Sequence, residues 1–168
     1  MTEVLQTTVM YADWRGVDSQ LVEILGRNRL VNELLRAGLE VAVPIRDRGV
    51  DLVAYADVDE RIKVFVARPI QMKAALRRSF GVWKKYAKFP DMLLAFAWHL
   101  DGALPPQTFA VTIPEAIAIA TRMGWTDTRS WREKGGYGTT RPSQRLLELL
   151  APHLMTDQRW WSKVTSPP

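Results

Sequence analysis

The residues best suited to chemistry lie at the ends of two strand-like segments in the middle of the chain. Asp51 begins a run that is otherwise almost entirely apolar, Leu52–Ala56. A carboxylate at the mouth of such a buried strand is costly unless it is paired with a base or holds a cation. On a later run, Gln71 and Lys73 stand two residues apart, so both project from one face of a strand. The sequence therefore predicts a polar cluster in which Asp51 either holds a cation or pairs with Lys73 or Arg48.

A predicted hairpin brings these residues together. The runs Val50–Ala56 and Ile62–Lys73 are typical of strands, and an acidic turn over residues 57–60, taken as centred near 59–60, separates them. Simple antiparallel register places Asp51 opposite the residue before Pro69. A proline inside a strand predicts an edge position or a bulge, and a bulge at Pro69 would move the partner of Asp51 to residue 70 or 71. The polar cluster is then expected at one end of the hairpin.

The remaining elements follow from periodicity and from residues that begin or end helices. Asp18 caps a helix with apolar residues at helical spacing, Gly26 is expected to kink or divide it, and Gly38 ends it. Further along we expect three strands, over Leu39–Ile45, Met92–Leu100 and Gln107–Thr112. We also expect a short helix or ordered loop over 77–90, a helix from Pro114 to Gly124 and a last amphipathic helix over 141–154. A loop over 125–142 precedes the last helix. This order predicts an α/β fold with a central mixed sheet of about five strands flanked by helices. We expect one domain over 1–168, with its core over about 20–112 and a C-terminal helical extension over 113–164.

The composition excludes several kinds of site. The chain has 168 residues, of which 47% are hydrophobic and 24% charged, as is usual for soluble globular proteins. It contains no cysteine, which rules out disulfides, zinc-thiolate sites and thiol nucleophiles, and its two histidines form no zinc motif. No apolar run reaches the roughly 18–20 residues that span a bilayer, and the N-terminus lacks a signal-peptide pattern. We therefore expect a cytoplasmic protein with no membrane partner.

Positive charge is concentrated in one part of the chain. The net charge is +5, and the 28 residues from Arg61 to Lys88 contain nine basic residues and no acidic one. Within this stretch, aromatic residues recur at every third position from Phe80 to Phe89, which predicts that one side packs on the sheet. The basic residues would then face outward and contact backbone phosphates of nucleic acid. The predicted nucleic-acid contacts are Arg77, Arg78, Lys84, Lys85 and Lys88. A solvated face with a chance excess of charge is the alternative.

Two later segments carry weaker signals. The segment from Trp131 to Arg141 combines glycines, a tyrosine and basic residues, a composition suited to cradling a phosphate or stacking on a base, although a plain surface turn is the alternative. Trp160 and Trp161 follow the last predicted helix. We expect them to pack back on the body of the protein, and an exposed pair would instead indicate an oligomer contact.

The order of the predicted elements and a short motif at Asp51, Gln71 and Lys73 together resemble a known family. Gly49-Val50-Asp51, a strand, a turn and a strand ending in Ile70-Gln71-Met72-Lys73 resemble the PD-(D/E)xK nuclease superfamily, in particular its small archaeal Holliday-junction-resolvase-like branch. The resemblance covers about residues 20–112 and includes the preceding helix, the basic segment and the next core strand. The resemblance implies a restriction-endonuclease-like fold. It also implies the activity of a metal-dependent endonuclease on nucleic acid, with DNA as the favoured substrate, and assembly as a homodimer.

The resemblance also implies roles for individual residues. Asp51 and Gln71 would ligate Mg²⁺ or Mn²⁺, with Gln71 at the position where the family usually has glutamate or aspartate. Lys73 would orient or deprotonate the attacking water, or neutralise charge on the phosphate. The branch often carries a glutamate on its first helix, for which Glu33 is the candidate, while Glu23 lies earlier on the helix. The alternative function is that of a catalytically silent protein with the same fold, which binds nucleic acid or a protein partner.

Overall fold

A mixed sheet of five strands forms the centre of the computed structural model, which describes residues 16–46, 48–56 and 65–166. Within these ranges the strands are β1 (Leu39–Ala42), β2 (Leu52–Ala56), β3 (Ala67–Ala74), β4 (Phe80–Trp83), β5 (Leu93–Trp98), β6 (Gln107–Thr112) and β7 (Gly136–Thr139). The main sheet has the order β1-β2-β3-β5-β6, while β4 and β7 pair separately as a two-stranded ribbon. Strands β3 and β5 are parallel and the other neighbours are antiparallel. The predicted α/β class with a mixed sheet is therefore confirmed.

Helices and the ribbon cover the two faces of this sheet. The helices are α1 (Ser19–Arg36), α2 (Ile113–Arg122), α3 (Arg129–Lys134), α4 (Gln144–Leu150) and α5 (Asp157–Thr165). Helices α1 and α5 bury their apolar residues on one face, and the ribbon with α2, α3 and α4 packs on the other. Over the part of the chain that the structure describes, no helix is long and apolar enough to cross a lipid bilayer.

Helix α1 begins and ends where the sequence predicts. The Asp18 side chain accepts a hydrogen bond from the N–H of Gln20, and Gly38 has φ +80°, a conformation that glycine adopts without strain. The expected kink or division at Gly26 is wrong, because the helix runs unbroken through this residue, which lies against β3. A Cβ at Gly26 would stand 2.6 Å from the Cβ of Ala74. This close approach sets the first half of α1 beside the end of β3.

The hairpin of β2 and β3 has a regular register. Leu52 pairs with Ile70 and Tyr55 with Ala67, with one residue opposite one throughout, so the predicted bulge at Pro69 is wrong. In every pair the two residue numbers average 61, whereas the prediction took the centre of the turn near residues 59–60. This difference alone accounts for the shift in register. Pro69 pairs with β2 only, because the pairing of β3 with β5 begins at Ile70. A strand tolerates a proline, which lacks an N–H, at such a position with one neighbour. The predicted turn over 57–60 lies outside the described residues.

The basic and aromatic segment after β3 differs from the prediction. It forms β4 and one 3₁₀ turn, Lys84–Tyr86, rather than a short helix or a loop. Its partner β7 lies in the segment predicted as a loop, and the two pair from Phe80 opposite Thr139 to Trp83 opposite Gly136. Such a pairing between distant segments leaves no local signal. One consequence is that Phe80 is buried while the ring of Trp83 is partly exposed.

The C-terminal region contains two more helices than predicted, namely α3, which lies inside the segment expected to be a loop, and α5. The predicted helix over 141–154 is shorter, because α4 ends at Leu150 and a 3₁₀ turn containing Pro152 follows. Helix α5 then returns to the sheet and buries Trp160 completely, as expected for a tryptophan that packs back on the body. Arg68, a member of the basic run, is buried and donates from Nε to the carbonyl of Val164 at 3.3 Å. Arg68 therefore serves packing, and the basic run is not one continuous surface.

Candidate functional site

Asp51 and Gln71 form a buried polar pair at one end of the hairpin. The Gln71 Nε2 donates to Asp51 Oδ2 at 2.6 Å, and the backbone N–H of Met72 donates to the same oxygen at 2.6 Å. The N–H of Asp51 donates to the carbonyl of Ile70 at 2.9 Å, which holds the start of β2 against β3. Asp51 is 8% exposed and Gln71 is 7% exposed. The structure thus brings together the two residues that the sequence placed at the same end of the hairpin.

Tyr86 orients the amide of Gln71 from the other side. Its hydroxyl donates to Gln71 Oε1 at 3.3 Å, and the side chain is buried. A hydroxyl can both donate and accept a hydrogen bond. Tyr86 therefore remains a partner for Gln71 whichever end of the amide faces Asp51. In the sequence, only its place in the aromatic series distinguishes this tyrosine.

The pair opens onto a cavity of about 940 Å³ at the end of the sheet. Its walls come from the start of α1, the end of β3, the segment that follows β3 and the segment that follows β7. The polar residues that line it are Ser19, Glu23, Asp51, Gln71, Lys73, Arg77, Arg78, Ser79, Thr140 and Arg141. Lys73 follows Gln71 on the same face of β3, as predicted, and its ammonium lies 6.0 Å from the centre of the Trp83 ring. The three residues of the predicted motif thus share one cavity.

Basic side chains outnumber acidic ones in this cavity. Lys73 and three arginines line it, against Glu23 and Asp51. The sequence predicted Arg77 and Arg78 as contacts to nucleic acid, and both lie here. Arg141 comes from the segment whose glycine, tyrosine and basic residues suggested a phosphate cradle. A cavity with this balance of charge attracts an anion such as a phosphodiester.

His99 holds one of these arginines in place. The Nε–H of Arg78 donates to His99 Nε2 at 3.5 Å, which requires that nitrogen to be unprotonated. Burial lowers the pKa of His99 from its usual value, and the positive charge of Arg78 lowers it further. His99 also has φ +60°, which is uncommon for a residue other than glycine. The neutral imidazole thus accepts from Arg78 at the rim of the cavity.

The helix glutamate that lines the cavity is Glu23, not Glu33. Glu33 accepts from the Thr108 hydroxyl at 2.8 Å and from Trp160 Nε1 at 3.0 Å, and it lines a different cavity. Ten residues along a helix correspond to a rise of about 15 Å, which separates the two glutamates. Glu23 is half exposed and pairs with Arg27 at 2.7 Å, four residues along the helix. The assignment of Glu33 to the site is corrected accordingly.

The three predicted lysine contacts do not line the cavity. Their ammonium groups lie over aromatic rings instead, at 5.6 Å from the ring centre for Lys84 and Trp131, and at 4.9 Å for Lys85 and Tyr86. The ammonium of Lys88 lies 5.1 Å from the ring centre of Phe89. All three lysines are exposed. The helical spacing assumed for the segment would have placed them together with Arg77 and Arg78, and β4 separates them.

Comparisons with known proteins assign no family to the chain. Neither family models, nor curated proteins, nor solved structures gave a match. The resemblance to the PD-(D/E)xK superfamily therefore remains a prediction from the motif, and a function must be argued from the residues of the cavity.

The cavity contains oxygen donors of the kind that hard divalent cations use. Among residues 16–46, 48–56 and 65–166, no three acidic or histidine side chains form a group able to hold a metal ion. Mg²⁺ commonly uses only one or two carboxylates, together with water and substrate phosphates. Asp51, the amide oxygen of Gln71 and Glu23 supply donors of that kind in one cavity. Binding through Gln71 requires its amide to turn, and the hydroxyl of Tyr86 permits either orientation.

A second cavity, of about 410 Å³, lies at the opposite end of β3 around Arg68. Its basic groups already have partners. Arg159 donates to the carbonyls of Pro152 and Leu154, and Lys163 lies 2.5 Å from Glu115. These bonds join α5 to the preceding 3₁₀ turn and to α2, so this cavity is a weaker candidate than the one at Asp51.

Proposed function

We propose that this protein is a metal-dependent endonuclease that hydrolyses phosphodiester bonds in nucleic acid, with DNA as the favoured substrate. The observation that carries the proposal is the convergence of Asp51, Gln71 and Lys73 on one cavity rich in arginine. A restriction-endonuclease-like fold is part of the proposal. It is supported by the mixed sheet and by the order in which helix, hairpin, basic segment and core strand follow one another.

Each residue has a role that follows from its chemistry. Asp51 and Gln71 would hold Mg²⁺ or Mn²⁺, and the ion would lower the pKa of a bound water and offset phosphate charge. Lys73 lies on the same face of β3 as Gln71, and its ammonium would stabilise the negative charge that develops on the phosphate oxygens during cleavage. Arg77, Arg78 and Arg141 would bind the backbone phosphates that flank the cleaved one.

A second function is favoured by the amide at position 71. Its Nε2 already satisfies Asp51 Oδ2, together with the N–H of Met72, so the carboxylate is stabilised without a cation. Because glutamine replaces the acidic residue of the usual motif, the site has one negative charge fewer, which weakens cation binding. A protein with this cavity would still bind phosphates through its arginines. The alternative is therefore a nuclease-fold protein that binds nucleic acid without cleaving it.

A cleavage assay separates the two functions. The protein would be incubated with Mg²⁺ or Mn²⁺ and with single-stranded, duplex, flapped and four-way DNA, and with RNA. Asp51→Asn keeps an acceptor for Met72, and Lys73→Met keeps the aliphatic stem, so both variants should fold. Lys134→Met, at an exposed lysine outside the cavity, serves as the matched control. Loss of one electrostatic contributor is expected to slow cleavage by about 100-fold or more.

Each outcome of the assay has a defined meaning. Cleavage that needs the ion, falls in Asp51→Asn and Lys73→Met and persists in Lys134→Met supports the endonuclease. Cleavage that survives both cavity substitutions refutes the assignment of the site. Salt-dependent binding with no cleavage under any condition favours the binding protein, and binding to no nucleic acid refutes both functions.

A further inference from the structure

Trp83 presents an aromatic surface beside the motif lysine. The residue ends β4, and 36% of it is exposed although the side chain is large and apolar. It lines a cavity of about 440 Å³. This smaller cavity shares Lys73, Ser79, Thr140 and Arg141 with the cavity at Asp51. The indole therefore stands on the wall of the same open region in which a phosphate is proposed to lie.

Three glycines allow the indole to lie flat along the ribbon of β4 and β7. A Cβ at Gly136, opposite Trp83 in β7, would stand 2.3 Å from Cδ1 of the indole, and one at Gly81 would stand 2.8 Å from its Cη2. Gly138, opposite Gly81, brings the two backbones close at the far end of the ring. Any side chain at Gly81 or Gly136 would lift the ring. One face of the indole thus covers bare backbone.

The position of Lys73 relates this ring to the proposed chemistry. Its ammonium lies 6.0 Å from the ring centre, at the outer limit of a cation–π contact. The phosphate and the base of a single nucleotide are separated by a distance of the same order. A phosphate at Lys73 would therefore place one adjacent base within reach of the indole. Bases in a duplex have both faces stacked, so only an unpaired or displaced base could use it.

We infer that Trp83 is a stacking platform for an unpaired base next to the phosphate at Lys73, and that the cavity takes single-stranded or locally opened nucleic acid. This inference rests on the proposed function, because it needs a phosphate in the cavity at Asp51. Base–aromatic stacking is sequence-tolerant, since every base has a π-face. The expected ligand is thus defined by an accessible base and not by a particular sequence.

Binding measured without metal tests the platform independently of cleavage. Fluorescence anisotropy in EDTA would compare a labelled oligothymidylate with an oligonucleotide of the same length that lacks bases, and with a duplex. Trp83→Leu is expected to weaken binding of the oligothymidylate by roughly 5- to 140-fold and to leave the abasic strand unaffected. Trp83→Phe should restore most of the loss, and Gly136→Ala, which displaces the ring, should reproduce it. Phe89→Leu is the matched control, because Phe89 is 46% exposed but does not line the smaller cavity.

Several results would overturn the inference. Equal losses for the oligothymidylate and the abasic strand would show that the ring acts only through the shape of the ribbon. No loss in Trp83→Leu, or a preference for duplex that depends on Trp83, would remove the platform. Intact stacking with no cleavage would refute the endonuclease alone, whereas cleavage with no effect of Trp83→Leu would refute the platform alone. Absence of binding to all three ligands would refute both.

Discussion

Replacing Gln71 by glutamate perturbs the buried pair at the centre of the candidate site. The substitution places a carboxylate oxygen where Nε2 now donates to Asp51 Oδ2 at 2.6 Å. At an effective dielectric constant of 20, two unit charges about 3 Å apart repel by about 5 kcal/mol. Because both side chains are at least nine-tenths buried, solvent screens little of this repulsion. The two carboxyls are therefore expected to share one proton.

The cost of that proton sets the size of the effect. Keeping a carboxyl with an ordinary pKa of about 4.3 protonated costs about 4 kcal/mol at pH 7 and about 1 kcal/mol at pH 5. The pKa of the pair is raised in the folded protein, so its stability is retained at low pH and falls as the pH rises. We expect the free energy of unfolding of Gln71→Glu to be lower than that of the wild type by up to about 4 kcal/mol at pH 7. The difference should shrink to about 1 kcal/mol at pH 5.

A divalent cation should reverse the loss. The second carboxylate strengthens the site for Mn²⁺, and an ion at 100 times its dissociation constant stabilises the folded state by about 2.7 kcal/mol. Urea unfolding at pH 5 and pH 7, with Mn²⁺ or with EDTA, measures all of these quantities. Gln107→Glu, on β6 and outside the cavity, is the control for an added negative charge.

Two results would refute this reasoning. A variant as stable as the wild type at pH 7 in EDTA would show that the amide of Gln71 does not lie against Asp51. An equal loss at both pH values would show that the cost arises from packing and not from charge. A variant that is destabilised as expected but is unaffected by Mn²⁺ would retain the geometry and argue against the cation site.

Two further predictions concern stability. Gly26→Ala should lower the free energy of unfolding, measured in urea, by roughly 1–2 kcal/mol. The new Cβ would stand 2.6 Å from the Cβ of Ala74, and the cost of this overpacking between α1 and β3 exceeds the gain in helix propensity. An unchanged or raised free energy of unfolding would contradict that contact. Acid should destabilise the protein in two steps. Burial lowers the pKa of His153 below 6.5. Burial alone would raise the pKa of Glu115, but the hydrogen bonds that Glu115 accepts from Lys163 and from the N–H of Thr112 hold this pKa below 4.5. The unfolded chain therefore binds more protons, and stability should fall as the pH drops below about 6.5 and again below about 4.5. Urea midpoints between pH 3 and 8 would show both steps, and Lys163→Met should flatten the second. A midpoint independent of pH would contradict the assignment.

The sequence by itself determined the elements whose signals are local. The N-cap at Asp18 and the left-handed Gly38 each depend on a few neighbouring residues, and the structure has both. Strand β6 has the bounds that the sequence predicts. The sequence also placed Asp51 and Gln71 at the same end of one hairpin, and the structure has them there, although through a regular register and not through the predicted bulge. In each case the deciding interactions lie within one hairpin or one turn of helix.

Only the tertiary structure decided which other residues share the cavity. The ribbon joins Phe80 to Thr139, 59 residues along the chain, and this pairing brings Arg141 to the motif and lays the ring of Trp83 beside it. The packing of α1 on β3 selects Glu23, whereas Glu33 lies too far along the helix. Contacts of this range depend on the sum of many weak packing terms over the whole core, and short stretches of sequence do not record that sum.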